Sequence, residues 1–275
     1  MPALTFGHLK KVDIKYPPLA EQERIVAKLD QCFDAIDNAK ANVERNLQNA
    51  KELFQSKLNQ IFSEKGDGWV ERKLGDEKLL KIIDGDRGKN YPKKVDFLNE
   101  GFCVFSNTGN VRPDGFNFDK VVFITEERDN LLRKGKLKRN DVVMTTRGTI
   151  GNLGLYNSNV PYDHIRINSG MLIFRPNKNE ILPEYLFSVL RSSIMKEQIK
   201  LKTTGAAQPQ LPIMTLVSFI IPVPVGLDIQ MRCVKQINKL STQTKTLESN
   251  YQQELDVLDE LKKSILQKAF NGELV

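Results

Sequence analysis

The chain has 275 residues, 40% hydrophobic and 27% charged, a composition that folds and buries a sizeable core without disulfides. No apolar run reaches ~18 residues, so a transmembrane helix is excluded, and Met1–Lys11 lacks the apolar core of a signal peptide. The net charge of +7 is localised: residues 65–226 hold 25 Lys and Arg against 18 Asp and Glu, and the flanks together hold 16 of each sign.

That distribution suits a basic module carried on neutral supports and meeting a polyanion. The expected location is the cytoplasm. Cys32, Cys103 and Cys233 are far apart and distant from His8 and His164, with no CxxC or HxxxH spacing. Free thiols and no metal site are therefore expected.

In chain order, the first expected element is a long helix over 19–64. It begins after Pro17-Pro18, which a helix interior does not accept, and stops near Gly66. Val26, Leu29, Phe33, Ile36, Val43, Leu47, Ala50, Phe54 and Ile61 fall on a 4–3 spacing, interrupted by Lys40 and Lys57. A stripe this long is a coiled-coil seam and needs a partner.

The middle, 65–226, is expected to be a mixed α/β module. Strands are expected at Phe102–Ser106, Lys120–Thr125, Asp141–Thr146, Asn152–Tyr156, Gly170–Arg175 and Ser218–Ile221, and short helices at Pro183–Ser192 and Met195–Leu201.

The second long helix is expected over 227–275, ending at Gly272. Val234, Ile237, Tyr251, Leu255, Leu258, Ile265 and Ala269 form its seam, with polar Ser241, Thr244, Glu248 and Lys262 on the same stripe. At ~1.5 Å per residue each helix is roughly 60 Å long. The expected fold is α+β: one mixed α/β domain flanked by two long helices that pair as an antiparallel coiled coil.

The two ends repeat each other. At an offset of 207, Leu9 meets Leu216, Ile14 meets Ile221 and Pro17 meets Pro224; one insertion later, Gln22 meets Gln230 and Arg24 meets Arg232. The register persists at Leu58/Leu266 and Phe62/Phe270. This is an internal duplication.

Three stretches of the middle module carry candidate DNA contacts. Asp84–Lys94 is a basic loop with Arg87, Lys89, Lys93 and Lys94. Arg139–Gly151 ends a strand in Thr145, Thr146 and Arg147 and turns through glycines past Thr149. Lys200–Leu211 offers Lys200, Lys202, Thr203, Thr204, Gln208 and Gln210. Arginine pairs bidentately with guanine and glutamine with adenine, whereas Lys and Thr suit phosphates. A Gly-flanked Arg or a Thr/Gln loop is also an ordinary solvated turn. No GxxxxGK[ST] loop, GxGxxG fingerprint, Asn-Pro-Pro-aromatic motif or nucleophile–base pair occurs, so no catalytic site is expected.

At this point a family resemblance appears. Pro17-Pro18-Leu19-Ala20-Glu21-Gln22-Glu23-Arg24-Ile25-Val26, leading into a long helix, resembles the conserved region of type I restriction–modification specificity subunits. Arg139–Gly151 is similar to the family's Gly-Asp-Ile-Leu…Arg-Gly-x-Ile-Gly segment, with Asn140 where glycine is usual. Gly205–Leu211, followed by a strand into Pro222 and Pro224, resembles the end of a target-recognition domain.

The resemblance implies a non-catalytic subunit that reads half of a bipartite site in double-stranded DNA. Its helices would act as a spacer and dock methyltransferase subunits, and restriction subunits would join through the complex. No cofactor is implied on this chain: S-adenosylmethionine belongs to the methyltransferase, ATP and Mg to the restriction partner. Usual members have two recognition domains and two helical regions. This chain has one domain between two helices, so it looks half-length, and residues 1–18 look like the tail of a missing recognition domain. Val225–Ile229 also departs from the Pro-Leu-Ala-Glu pattern. Monomer and homodimer both stay open, and a coiled-coil scaffold without DNA reading is the alternative function. A standalone nuclease or methyltransferase lacks its motifs.

Overall fold

The computed structural model describes residues 16–203 and 210–274. In chain order the elements are α1 (Leu19–Ser63), β1 (Trp69–Lys73), β2 (Leu80–Asp84), β3 (Cys103–Ser106), β4 (Val111–Arg112), β5 (Gly115–Phe116), β6 (Phe123–Ile124), α2 (Glu126–Leu131), β7 (Val142–Thr145), β8 (Leu153–Leu155), β9 (Ile165–Ile167), β10 (Met171–Pro176), α3 (Pro183–Leu190), α4 (Ser193–Thr203), α5 (Ile213–Leu216), β11 (Ile220–Pro224) and α6 (Leu227–Phe270). The chain divides into two compact units: one takes the chain up to Leu53 and from Thr242, the other is Phe54–Ser241.

The first unit is an antiparallel helix pair. Lys40 pairs with Asp259, and Lys262 Nζ reaches Asp37 at 2.7 Å, so numbers rise along one helix as they fall along the other. Leu29, Phe33, Ile36, Val43, Leu47 and Ala50 of α1 turn inward, as do Tyr251, Leu255, Leu258 and Ile265 of α6. The polar positions follow the same stripe: Thr244 is buried, and Lys262 lies with its ammonium 4.9 Å from the Phe33 ring centroid. A long Lys stem covers apolar surface while its head reaches a carboxylate. One seam residue is corrected: Val26 is 53% exposed, and Ile25 is more covered than it is.

The second unit is built on a four-stranded antiparallel sheet, in the order β2-β10-β7-β8. Successive side chains alternate between its faces. Val142, Met144, Leu172 and Phe174 join Tyr185, Leu186 and Val189 of α3, together with Leu58 and Phe62 of α1 and Ile237 of α6. Val143, Met171 and Ile173 face the other way, onto Ile165, Ile167 and Tyr156. Because both faces are covered, these strands read as unbroken apolar runs rather than alternating ones. Near its C-terminal end the inward stripe of α1 moves to Phe54, Leu58, Ile61 and Phe62, leaving Lys57 exposed.

A second sheet, β6-β3-β9, sets β3 parallel to β9, with Val104 opposite Ile165. β1 pairs with β11 in a two-stranded ladder, and β4 and β5 form a hairpin. The two prolines of β11 stand in this short ladder, where a missing donor is tolerated. The Pro222 carbonyl instead accepts the buried Tyr185 hydroxyl at 2.9 Å.

Six expected strands and both short helices are present. The reading missed β1, β2, β4, β5, β9, α2 and α5. β9 is only Ile165, Arg166 and Ile167, with an arginine at its centre. That arginine is 4% exposed and is neutralised by Asp129 from α2, a partner 37 residues away.

Candidate nucleic-acid interface

The site is organised around the turn after β7. Thr145 and Thr146 frame it from within. The Thr145 hydroxyl donates to the Thr149 carbonyl and accepts the Asn152 amide at 3.0 Å, and the Thr146 hydroxyl donates to the Gly170 carbonyl at 3.0 Å. Both threonines are buried. Thr145 is therefore corrected from a DNA contact to a support of the turn, whereas Thr146, although mostly buried, also lines the groove that Arg147 enters. Arg147 follows immediately and is exposed. Gly148 and Gly151 take φ of 70° and 88°, left-handed values that favour glycine, and they bring the chain back into β8. Asn140, at φ 78°, makes the corresponding bend before β7, which an Asn side chain tolerates.

Parts of all three candidate stretches meet here. Arg147 forms a bridge with Gln210, and the Leu211 amide donates to the Thr146 carbonyl at 3.0 Å. Arg87 donates to Asp84 Oδ1 at 3.3 Å and to the Ser169 carbonyl at 3.4 Å. Together Arg87, Arg147, Gln210 and Met214 line a groove of about 240 Å³. Lys89, Lys93, Lys94, Thr149 and Lys202 are exposed but do not line it. Lys200 lines a separate cleft. Thr204 and Gln208 lie outside the described residues.

The loop that carries Arg87 is held from below. Gly85 packs against the backbone of Asn168; a Cβ there would stand 2.1 Å from the Asn168 carbonyl oxygen. Asp86 is 5% exposed and accepts the Gly88 amide at 2.6 Å and the Arg133 amide at 2.7 Å. Burial pushes its carboxyl up, but those two amides and the Arg133 guanidinium prevail and bring it from 3.8 down to about 2. A carboxylate whose folded pKa is depressed contributes stability above its unfolded value, and that stability is lost as pH falls toward the folded one. Asp86→Asn is accordingly expected to cost about 2 kcal/mol at neutral pH. The difference from the parent should shrink as pH falls from about 4 to about 2, read by urea unfolding across that range; an unchanged difference would show that the amide contacts are not charge-dependent.

Arg139 has a different role from its neighbour Arg147. It donates to the carbonyls of Asn157, Val160 and Tyr162, pairs with Asp163 at 2.7 Å, and lies 4.3 Å from the Tyr156 ring centroid. It ties the β8–β9 connection and is not available to a ligand. Sequence reading also missed Arg191 and Lys196. Arg191 follows the end of α3 and Lys196 lies in the first turns of α4, five residues on, and only the fold brings them beside Gly148.

The family model for the type I restriction modification DNA specificity domain matches residues 1–46 and 66–257. The chain belongs to this family. It is 25% identical over 281 residues to the type I restriction enzyme EcoBI specificity subunit of Escherichia coli, and 25% identical over 276 residues to the EcoKI specificity subunit of Escherichia coli strain K12. These alignments cover 94% and 96% of this chain but only 57% and 58% of those proteins. The chain thus spans somewhat over half the length of the specificity subunits it matches.

Among solved structures, a chain from a study of complex assembly and conformational transition of the type I R-M system superposes with a TM-score of 0.79 at 21% identity. It covers 99% of this chain and 64% of that one. The HsdS subunit from Thermoanaerobacter tengcongensis gives a TM-score of 0.62 at 21% identity, with the same coverage. At that identity the likeness concerns the fold. Among the described residues there is no group of three His, Cys, Asp or Glu side chains placed to hold a metal, and no helix is long and apolar enough to cross a membrane.

Proposed function

We propose that this chain is a DNA sequence-specificity subunit, or the corresponding part of one, reading one half of a bipartite site through the unit Phe54–Ser241. The observation that carries this reading is the convergence of Arg87, Arg147 and Gln210 on one groove, within a family whose domain is defined by DNA specificity. Arginine and glutamine are the side chains suited to guanine and adenine edges in the major groove, and exposed Met214 offers an apolar contact for a thymine methyl. The exposed Lys89, Lys93, Lys94 and Lys202 suit phosphates.

In this reading the chain does no chemistry. The helix pair is a spacer and a docking element for methyltransferase subunits, which bind S-adenosylmethionine, and restriction subunits supply ATP- and Mg-dependent cleavage.

The test is a methyladenine map of cells carrying the cognate methyltransferase with the parent chain or with Arg147→Ala. The variant is expected to weaken discrimination at one base position by about 1–3 kcal/mol, roughly 5- to 150-fold, with the helix content of the purified protein unchanged. A motif identical in both maps would remove Arg147 as a reader. A map that does not respond to the gene at all would remove the DNA-reading function.

A further inference from the structure

Beside the Arg147 groove, on the far side of Gly148, lies a larger cleft of about 660 Å³ whose walls include Gln55, Gly148, Gly151, Arg191, Lys196 and Lys200. Three of these six are cations. Arg191 is half-buried, with its guanidinium 5.1 Å from the Phe187 ring centroid and 5.7 Å from that of Phe54. Lys196 Nζ donates to Gln55 Oε1 at 2.7 Å, a neutral partner. Among the described residues no carboxylate lies within 4 Å of Arg191, Lys196 or Lys200, whereas thirteen other Lys and Arg side chains do have such an ion pair. Asp114 acts on Arg191 only at longer range.

Holding these cations together in a partly covered cleft without an acid is unfavourable, and the structure registers it. Burial pushes both the Arg191 guanidinium and the Lys196 amine below their ordinary values, and Arg191 lowers Lys196 further. Two aromatic rings and a glutamine hold these two side chains, and an anion in the cleft would offset their mutual repulsion. Gly148 and Gly151 line the cleft beside Pro113, Ile150 and Leu153. A Cβ on Gly148 would meet nothing within 4 Å, so a bulky ligand is free to approach the backbone there.

We propose that this cleft seats a backbone phosphodiester of the bound duplex, with Arg191 and Lys196 as its ligands and Lys200 at its rim. The proposal rests on the DNA-reading function above and deepens it. Arg147 and Gly148 are consecutive, so a strand held by its phosphate on one side of the turn presents a base edge to Arg147 on the other. Phosphate contacts of this kind set register, and base contacts then specify.

The experiment measures duplex affinity of the full chain against salt concentration, for the parent, Lys196→Gln, Arg191→Gln and Arg147→Ala. Each cation removed from a phosphate contact releases one fewer counterion. The slope of log affinity against log salt should therefore fall by about one in Lys196→Gln and in Arg191→Gln, with affinity lost evenly across duplex sequences. Arg147→Ala should instead lose preference between sequences. Lys196→Gln keeps the exposed surface polar, so it remains informative if Arg191→Gln fails to fold. Parent slopes in both cleft variants, alongside lost preference in Arg147→Ala, overturn the seat and leave the reading function standing. A parent chain that binds no duplex overturns both. Inorganic phosphate is the remaining probe: if it raises the melting temperature of the parent but not of Lys196→Gln while the duplex slopes are equal, the cleft takes a free anion and the phosphodiester assignment fails.

Discussion

Replacing Asp129 with alanine is expected to destabilise the recognition unit by about 3–5 kcal/mol, the cost of leaving a buried charge without its partner. Asp129 is fully buried in α2. Its Oδ1 accepts Arg166 Nε at 2.6 Å, its other oxygen pairs with Lys136, and its carbonyl accepts Arg166 NH2 at 2.9 Å. Burial alone would raise its carboxyl; the hydrogen bonds from Arg166 and Lys136 outweigh that and hold it below its ordinary value. Its contribution is therefore present above the unfolded pKa and is lost as pH falls toward the folded one.

The functional consequence runs along the chain. Arg166 anchors β9, the Asn168 amide donates to the Ser106 carbonyl at 2.9 Å, and Gly170 holds Thr146 directly beneath Arg147. Unfolding followed by the fluorescence of Trp69, the single tryptophan, measures the loss. The double replacement Asp129→Leu with Arg166→Met should be markedly less harmful than Asp129→Ala, because it removes both buried charges and leaves only the exposed Lys136 without its partner. Equal losses would mean that packing, not charge pairing, holds β9.

The second large effect separates two residues that the duplication makes equivalent. Phe62→Ala is expected to cost about 3–5 kcal/mol and Phe270→Ala less than about 0.5 kcal/mol. Phe62 is 0% exposed and meets Tyr185 edge-on at 5.6 Å, in the core shared with Phe174 and Ile237. Phe270 is 81% exposed at the end of α6. The flanking pair behaves alike, with Leu58 at 1% and Leu266 at 40%. The same denaturation experiment on both variants decides it, and similar losses would contradict this packing.

The same contrast explains what was legible. The helices were readable because a 4–3 stripe, prolines before and a glycine after are local signals. Gly272, at φ 77°, closes α6, and the Glu273 amide donates back to the Lys268 carbonyl at 2.9 Å. β7 and β10 were readable because two-sided burial gives unbroken apolar runs. β9 was not, since its central Arg166 is made tolerable by Asp129, a partner far along the chain. At the site, the residue types were legible and their roles were not. Thr145, Thr146 and Arg147 are adjacent, yet Thr145 is a buried brace, Thr146 is a brace at the edge of the groove, and Arg147 is exposed in it.

The sequence by itself determined the duplication, the two helices, the basic middle module and the family, because each rests on composition, periodicity or order along the chain. Only the tertiary structure decided which copy of a repeated residue is used. Gln22 donates to the Pro17 carbonyl at 2.7 Å, and its counterpart Gln230 donates to that of Pro224 at 3.1 Å. Gln230 alone is buried, and it also bonds the Leu182 amide and the Glu180 carbonyl at the start of α3. Burial is a property of what packs nearby. Equivalent residues of the two segments therefore acquire different energies once the recognition unit packs around one of each pair, Phe62 rather than Phe270 and Gln230 rather than Gln22.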